Sequence, residues 1–177
     1  PLINRGHEDF GENKVQEAVE KWTSIKNDFT KIKLHMVGKL QTNKVKYVLP
    51  LFDYIHSLDN LKLAEKISKE QKKINKKVKI FIQINIGNED QKSGISTTSL
   101  KDFYLQCKND LDLDIIGLMC LPPNNIDPDK YFNKMKKLSE EIDLQEISMG
   151  MSEDYLKAVD FNSTFVRIGS SIFGPRS

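Results

Sequence analysis

The chain has 177 residues, of which 38% are apolar and 29% charged, and its net charge is +2. That length suits one domain with a sizeable core, and the composition is that of a soluble globular protein. The balanced charge argues against a nucleic-acid surface, no apolar run approaches the roughly 20 residues of a membrane span, and Cys107 and Cys120 lack metal-type spacing, which points to a reduced cytosolic setting.

Strand-like runs recur along the chain as "EDFGE" (8–12), "LHMVG" (34–38), "YIHSL" (54–58), "VKIFIQINI" (78–86), "DIIGLMCL" (114–121), "EISMGM" (146–151) and "FVRIG" (165–169). The runs "KIFIQINI" and "IIGLMCL" are almost continuously apolar, as in strands buried on both faces. Helical spacing of apolar residues appears between the runs, over 13–25, 60–75 and 128–142, with lysines on the remaining faces. Such alternation implies parallel strands with right-handed crossovers. The expected fold is α/β, a (β/α)8 TIM-type barrel, with 1–177 as one barrel domain. A typical barrel has about 250 residues. This chain opens on Pro1 without an initiator methionine, so the expectation is a barrel lacking its first strand and the preceding helix. An open doubly wound sheet is the alternative, but no Gly-x-Gly-x-x-Gly follows the opening strand.

In such barrels the active face lies at the C-terminal strand ends, and the loops after the last two strands often bind phosphate. Here those loops are "SMGMSEDYLKAV" (148–159) and "RIGSSIFG" (167–174). Each offers a glycine, a hydroxyl and backbone N–H groups, and Ser152 is the expected N-cap of the helix in "SEDYLKAV". The chain has 24 lysines but only three arginines. One of these, Arg167, stands inside a strand-like run, either aimed at a ligand or held in a core ion pair. The remaining candidates are weaker. "GKLQTNK" (38–44) is either a loop at the barrel mouth or a helix start, and "NEDQKSGI" (88–95) offers Lys92 and Ser93. His35 and His56 are expected to be satisfied structural histidines. Glu12 is a candidate acid without a visible partner, and neither cysteine has the company of a nucleophile.

The motifs "FGEN-VQE", "HMVGKLQTNK", "HSLDN", "QINIGNEDQKSGI", "GLMCLPP", "SMGMSEDY-KAV" and "TFVRIGSSIFGPR" follow one another in order. In that order and spacing the chain resembles the pyridoxal-phosphate homeostasis proteins over 6–176, a family similar to the barrel domain of the alanine racemases. The resemblance implies a barrel that carries pyridoxal 5′-phosphate and has no firmly assigned activity. It implies that Ser152, Gly169 and Ser170, with the amide of Met151, hold the phosphate. Arg167 would face the pyridine nitrogen and keep it unprotonated, and Asn13 would lie beside the ring or its linkage. The family's Schiff-base lysine ends the first barrel strand, upstream of "FGEN", and is absent from this chain. Lys39 and Lys44 do not match its position. The implied function is a non-catalytic, cytoplasmic, monomeric carrier in vitamin B6 homeostasis. Its partners would be the cofactor and the apo-enzymes that use it. The alternative is a pyridoxal-phosphate-dependent amino-acid racemase, which needs a second base from a further domain. A sugar-phosphate barrel enzyme would need paired carboxylates at the strand ends.

Overall fold

The computed structural model describes residues 2–89, 91–123 and 126–174. Asp90 of the acidic loop and Pro175 and Arg176 of the closing motif lie outside the described residues. Seven parallel strands form one sheet in chain order: β1 (Asp9–Glu12), β2 (Lys33–Met36), β3 (Tyr54–Leu58), β4 (Lys79–Ile84), β5 (Asp114–Cys120), β6 (Glu146–Met151) and β7 (Phe165–Arg167). All seven expected strands are present. The last is shorter than expected, because the chain leaves the ladder after Arg167 and turns through Gly169 into a short helix.

The helices are α1 (Val15–Asp28), α2 (Val45–Leu51), α3 (Leu61–Ile74), α4 (Leu100–Leu105), α5 (Asp129–Glu141), α6 (Tyr155–Asp160) and α7 (Ser170–Phe173). Helices α1 to α6 cross over between successive strands, and α7 follows β7. Helix α3 starts where its sequence supplies a cap: Asn60 accepts a hydrogen bond from the Leu63 amide at 2.9 Å. It stops at Asn75, which adopts a left-handed conformation.

Two apolar layers follow from the alternation of side chains along the strands. The larger lies between strands and helices and contains Trp22, Phe52, Phe132 and the aliphatic residues of β2 to β6. Burying each large side chain contributes about 1.5–3 kcal/mol. The smaller lies inside the curved sheet, where Tyr54, Phe81 and Met119 pack with Ile116 and Phe165. The Phe165 ring of β7 is 5.7 Å from the His35 ring of β2, so strands five apart in the sheet meet across its interior. The sheet is therefore rolled into a nearly closed barrel.

Candidate functional site at the C-terminal strand ends

The loops after β6 and β7 are distant in sequence, and the fold brings them into contact. The Ser152 Oγ accepts hydrogen bonds from the Gly169 amide at 3.2 Å and the Ser171 amide at 3.4 Å. Ser152 is thus not an N-cap. Helix α6 begins three residues later, with Asp154 at the cap position, and the turn between carries Ser152 across to the next loop. The Asp154 carboxylate accepts a bond from the Met151 amide at 2.6 Å. Ser170 is exposed at the start of α7. Gly150 lets α6 pack closely on the end of β6: its φ is +92°, and a Cβ there would meet Ala158 of α6.

Arg167 ends β7, two residues before Gly169. It is half-buried as a residue, yet its guanidinium has lost most of its water, and burial pulls its pKa down. Its partners are neutral. Nη1 donates to Ser148 Oγ at 2.6 Å, and Nη2 donates to the Cys120 carbonyl at 2.8 Å. Among the described residues no ion pair holds it, so a core salt bridge does not explain this arginine. A desolvated cation with only dipolar partners can still offer its charge to a ligand.

Asn13 stands at the same end of the barrel. It lines a cavity of about 300 Å³ with Val37, Gly38, Lys39, Gln83, Asn85, Lys92, Ser93 and Leu121 among others. Neither Arg167 nor the Ser152 loop lines this cavity, so the expected residues fall into two neighbouring groups. Gln83 and Asn85, which the sequence did not single out, hold the wall: Gln83 donates to the Ser93 carbonyl, and Asn85 pairs twice with Glu89. "GKLQTNK" divides between the two expectations. Lys39 lines the cavity, and Thr42–Lys44 form a 3-10 turn leading into α2.

Other candidates have structural partners. Glu12 accepts from Trp22 Nε1 at 2.6 Å and from Lys21 at 2.8 Å, which ties it to α1. Cys107 and Cys120 are buried, and burial pushes both thiols up to about 12, far from a nucleophile's range. His35 and His56 are buried and hydrogen-bonded to each other at 3.0 Å. Among the described residues no cluster of His, Cys, Asp or Glu is placed to hold a metal ion, and no helix is long and apolar enough to cross a membrane.

Comparisons with known proteins agree with this architecture. The model of the family "Alanine racemase, N-terminal domain" matches residues 1–177. The chain is 37% identical to a pyridoxal phosphate homeostasis protein of Aquifex aeolicus, over 99% of this chain and 80% of that one. The Escherichia coli K12 protein of the same description is 32% identical, over 98% of this chain and 78% of its own. Two structures of PipY from Synechococcus elongatus, without and with pyridoxal phosphate bound, superpose with TM-scores of 0.91 and 0.89. Each is 30% identical and covers 97% of this chain and 84% of PipY. An alanine racemase of Clostridium difficile, 14% identical with a TM-score of 0.79, covers 99% of this chain and 47% of its own and shares the fold. With its rolled parallel sheet and this degree of identity, the chain belongs to the alanine racemase N-terminal domain family, among its pyridoxal phosphate homeostasis proteins.

Proposed function

We propose that this protein binds pyridoxal 5′-phosphate at the C-terminal strand ends and serves vitamin B6 homeostasis as a non-catalytic carrier. The observation that carries the proposal is the convergence on one oxygen, Ser152 Oγ, of the Gly169 and Ser171 amides, which lie two and four residues beyond the desolvated Arg167. Those amides are spaced and aimed for an oxygen acceptor, as a phosphate group requires. Ser152, Gly169 and Ser170 would hold the phosphate. The Met151 amide joins them only by releasing Asp154. PipY, at 30% identity, has been solved with this cofactor bound, which supports the choice of ligand.

Arg167 would face the ring nitrogen and Asn13 the ring or its linkage. When bound, the cofactor supplies an electrophilic aldehyde and an electron-withdrawing ring. A fixed cation beside the nitrogen disfavours its protonation and weakens that withdrawal. Retention without turnover is the consequence, which favours a carrier over a racemase. In this proposal the protein is a monomer working in the cytoplasm, and apo-enzymes are the recipients of its cofactor.

The test is absorbance titration of the full-length protein with pyridoxal phosphate and with pyridoxal. The proposal expects saturable binding of the phosphate ester at micromolar concentration or below, and much weaker binding of pyridoxal. Equal affinity for the two would end it.

A further inference from the structure

Five side chains from five strands form a continuous hydrogen-bonded line through the barrel interior. Asp9 Oδ1 is 3.1 Å from His35 Nε2, and His35 Nδ1 is 3.0 Å from His56 Nε2. His56 Nδ1 is 2.9 Å from Ser148 Oγ, which in turn accepts from Arg167 Nη1 at 2.6 Å. We propose that Ser148, His56 and His35 are positioning residues for Arg167, forming a one-way donor chain that begins at the guanidinium and ends on the Asp9 carboxylate. This inference rests on Arg167 being the ring-facing group of the proposed cofactor site.

The direction follows from donor and acceptor accounting. Arg167 only donates, and the Asp9 carboxylate only accepts. With Ser148 Oγ accepting from Arg167, its own O–H goes to His56 Nδ1. Then His56 Nε2–H donates to His35 Nδ1, and His35 Nε2–H donates to Asp9. Every atom in the line is satisfied, and both imidazoles are neutral with the proton on Nε2. The opposite order places a bare His35 Nε2 lone pair against the Asp9 carboxylate, which is repulsive.

The surroundings favour neutral rings. Burial lowers the pKa of His35 and lowers that of His56 well below its ordinary value. The rings are stacked, His35 on Tyr54 at 4.2 Å and His56 on Phe81 at 4.3 Å, with Phe165 tilted against one and edge-on to the other. The charged groups acting on them are Asp9, Asp53 and Lys33 at His35 and Arg167 at His56. Polarised from a cation at one end and a carboxylate at the other, such a line is stronger than its separate bonds. It fixes where the guanidinium points while leaving its charge uncancelled nearby.

The experiment assigns imidazole tautomers by long-range 15N NMR on the full-length protein, first without cofactor. The wild type should show Nε2–H alone at His35 and His56. Asp9→Lys replaces the terminal acceptor by a group that only donates, and Asp9 is about half exposed (51%), so the position admits the longer side chain. His35 Nε2 must then accept, and the Nδ1–H form should appear at His35 and, one ring further along the line, at His56. In an uncoupled pair His56 would keep its wild-type tautomer. Nδ1–H at His56 in the wild type, or an unchanged His56 in Asp9→Lys, overturns the proposal. The second arm measures pyridoxal phosphate affinity, which Ser148→Ala should weaken about tenfold. Unchanged affinity also overturns the proposal. If the wild type binds no pyridoxal phosphate while the tautomers are as assigned, the cofactor site falls and the chain stands. If it binds tightly with the opposite tautomers, the chain falls and the site stands.

Discussion

The carbonyl oxygen of Asn13 occupies the space in which a Cβ on Gly38 would stand. The turn after β1 and the turn after β2 touch through their backbones, and only glycine permits it. Gly38→Ala must push a peptide aside at the rim of the cavity. A loss of about 1–3 kcal/mol is expected, read as a lowered urea midpoint at unchanged slope. Gly169 is the contrast, with open space around its Cβ position and a negative φ. Gly169→Ala should change stability by less than about 0.5 kcal/mol.

The Ser152 hydroxyl accepts from two amides of the next loop. Ser152→Ala removes one donor to a bound phosphate, the equivalent of about 1.5–3 kcal/mol for a charge-assisted bond. It also frees the Gly169 and Ser171 amides to reach the phosphate, which offsets part of the loss. The expected result is weakening of about tenfold for pyridoxal phosphate and little change for pyridoxal, measured by paired titrations.

Arg167 bears on chemistry as well as affinity. With an uncancelled cation beside the ring nitrogen, exchange of the alanine α-proton in deuterated water should be negligible in the full-length protein loaded with cofactor. NMR integration of the α-proton over hours checks this. Rapid exchange would replace the carrier by a racemase-type enzyme.

Stability should decline on both sides of neutrality. His35 and His56 have lowered pKa values when folded, so below about 6.5 the unfolded chain binds protons that the fold refuses. Stability therefore falls as pH drops through that range. The thiols act in the opposite direction. Cys107 and Cys120 keep their protons up to about 12, while unfolded thiols lose theirs near about 8.5. Between those values the fold binds more protons, and stability falls as pH rises. Urea midpoints at about pH 5, 7 and 10 test both limbs, and a thiol reagent at pH 8 should react only as fast as the protein opens.

Much of the architecture was legible because its signals are local. The apolar runs of β4 and β5 announce doubly buried parallel strands, and Val15, Ala18 and Trp22 mark the buried face of α1. The site was legible in part. The loops of Ser152 and Gly169 stand out by composition, but their contact spans seventeen residues and two strand ends, so Ser152 read as a cap. Gln83 and Asn85 were hidden because they sit inside a strand-like run, where polar residues give no sign of facing a cavity. The role of His35 and His56 was invisible for a further reason. A histidine on a strand pattern reads alone, and nothing local pairs residue 56 with residue 148.

That long pairing also bears on how the sheet finds its alignment. Side chains alternate along a strand, so a slip of one residue in β2, β3 or β6 turns His35, His56 or Ser148 toward the helices. Each slip would leave the neighbouring link buried and unsatisfied, at a cost of about 1–3 kcal/mol per group. An aliphatic face tolerates a slide of two residues, because the same face stays buried and one isoleucine replaces another. A line of donors and acceptors does not. The polar thread thus works as an alignment key that closes only when all five strands have docked in step.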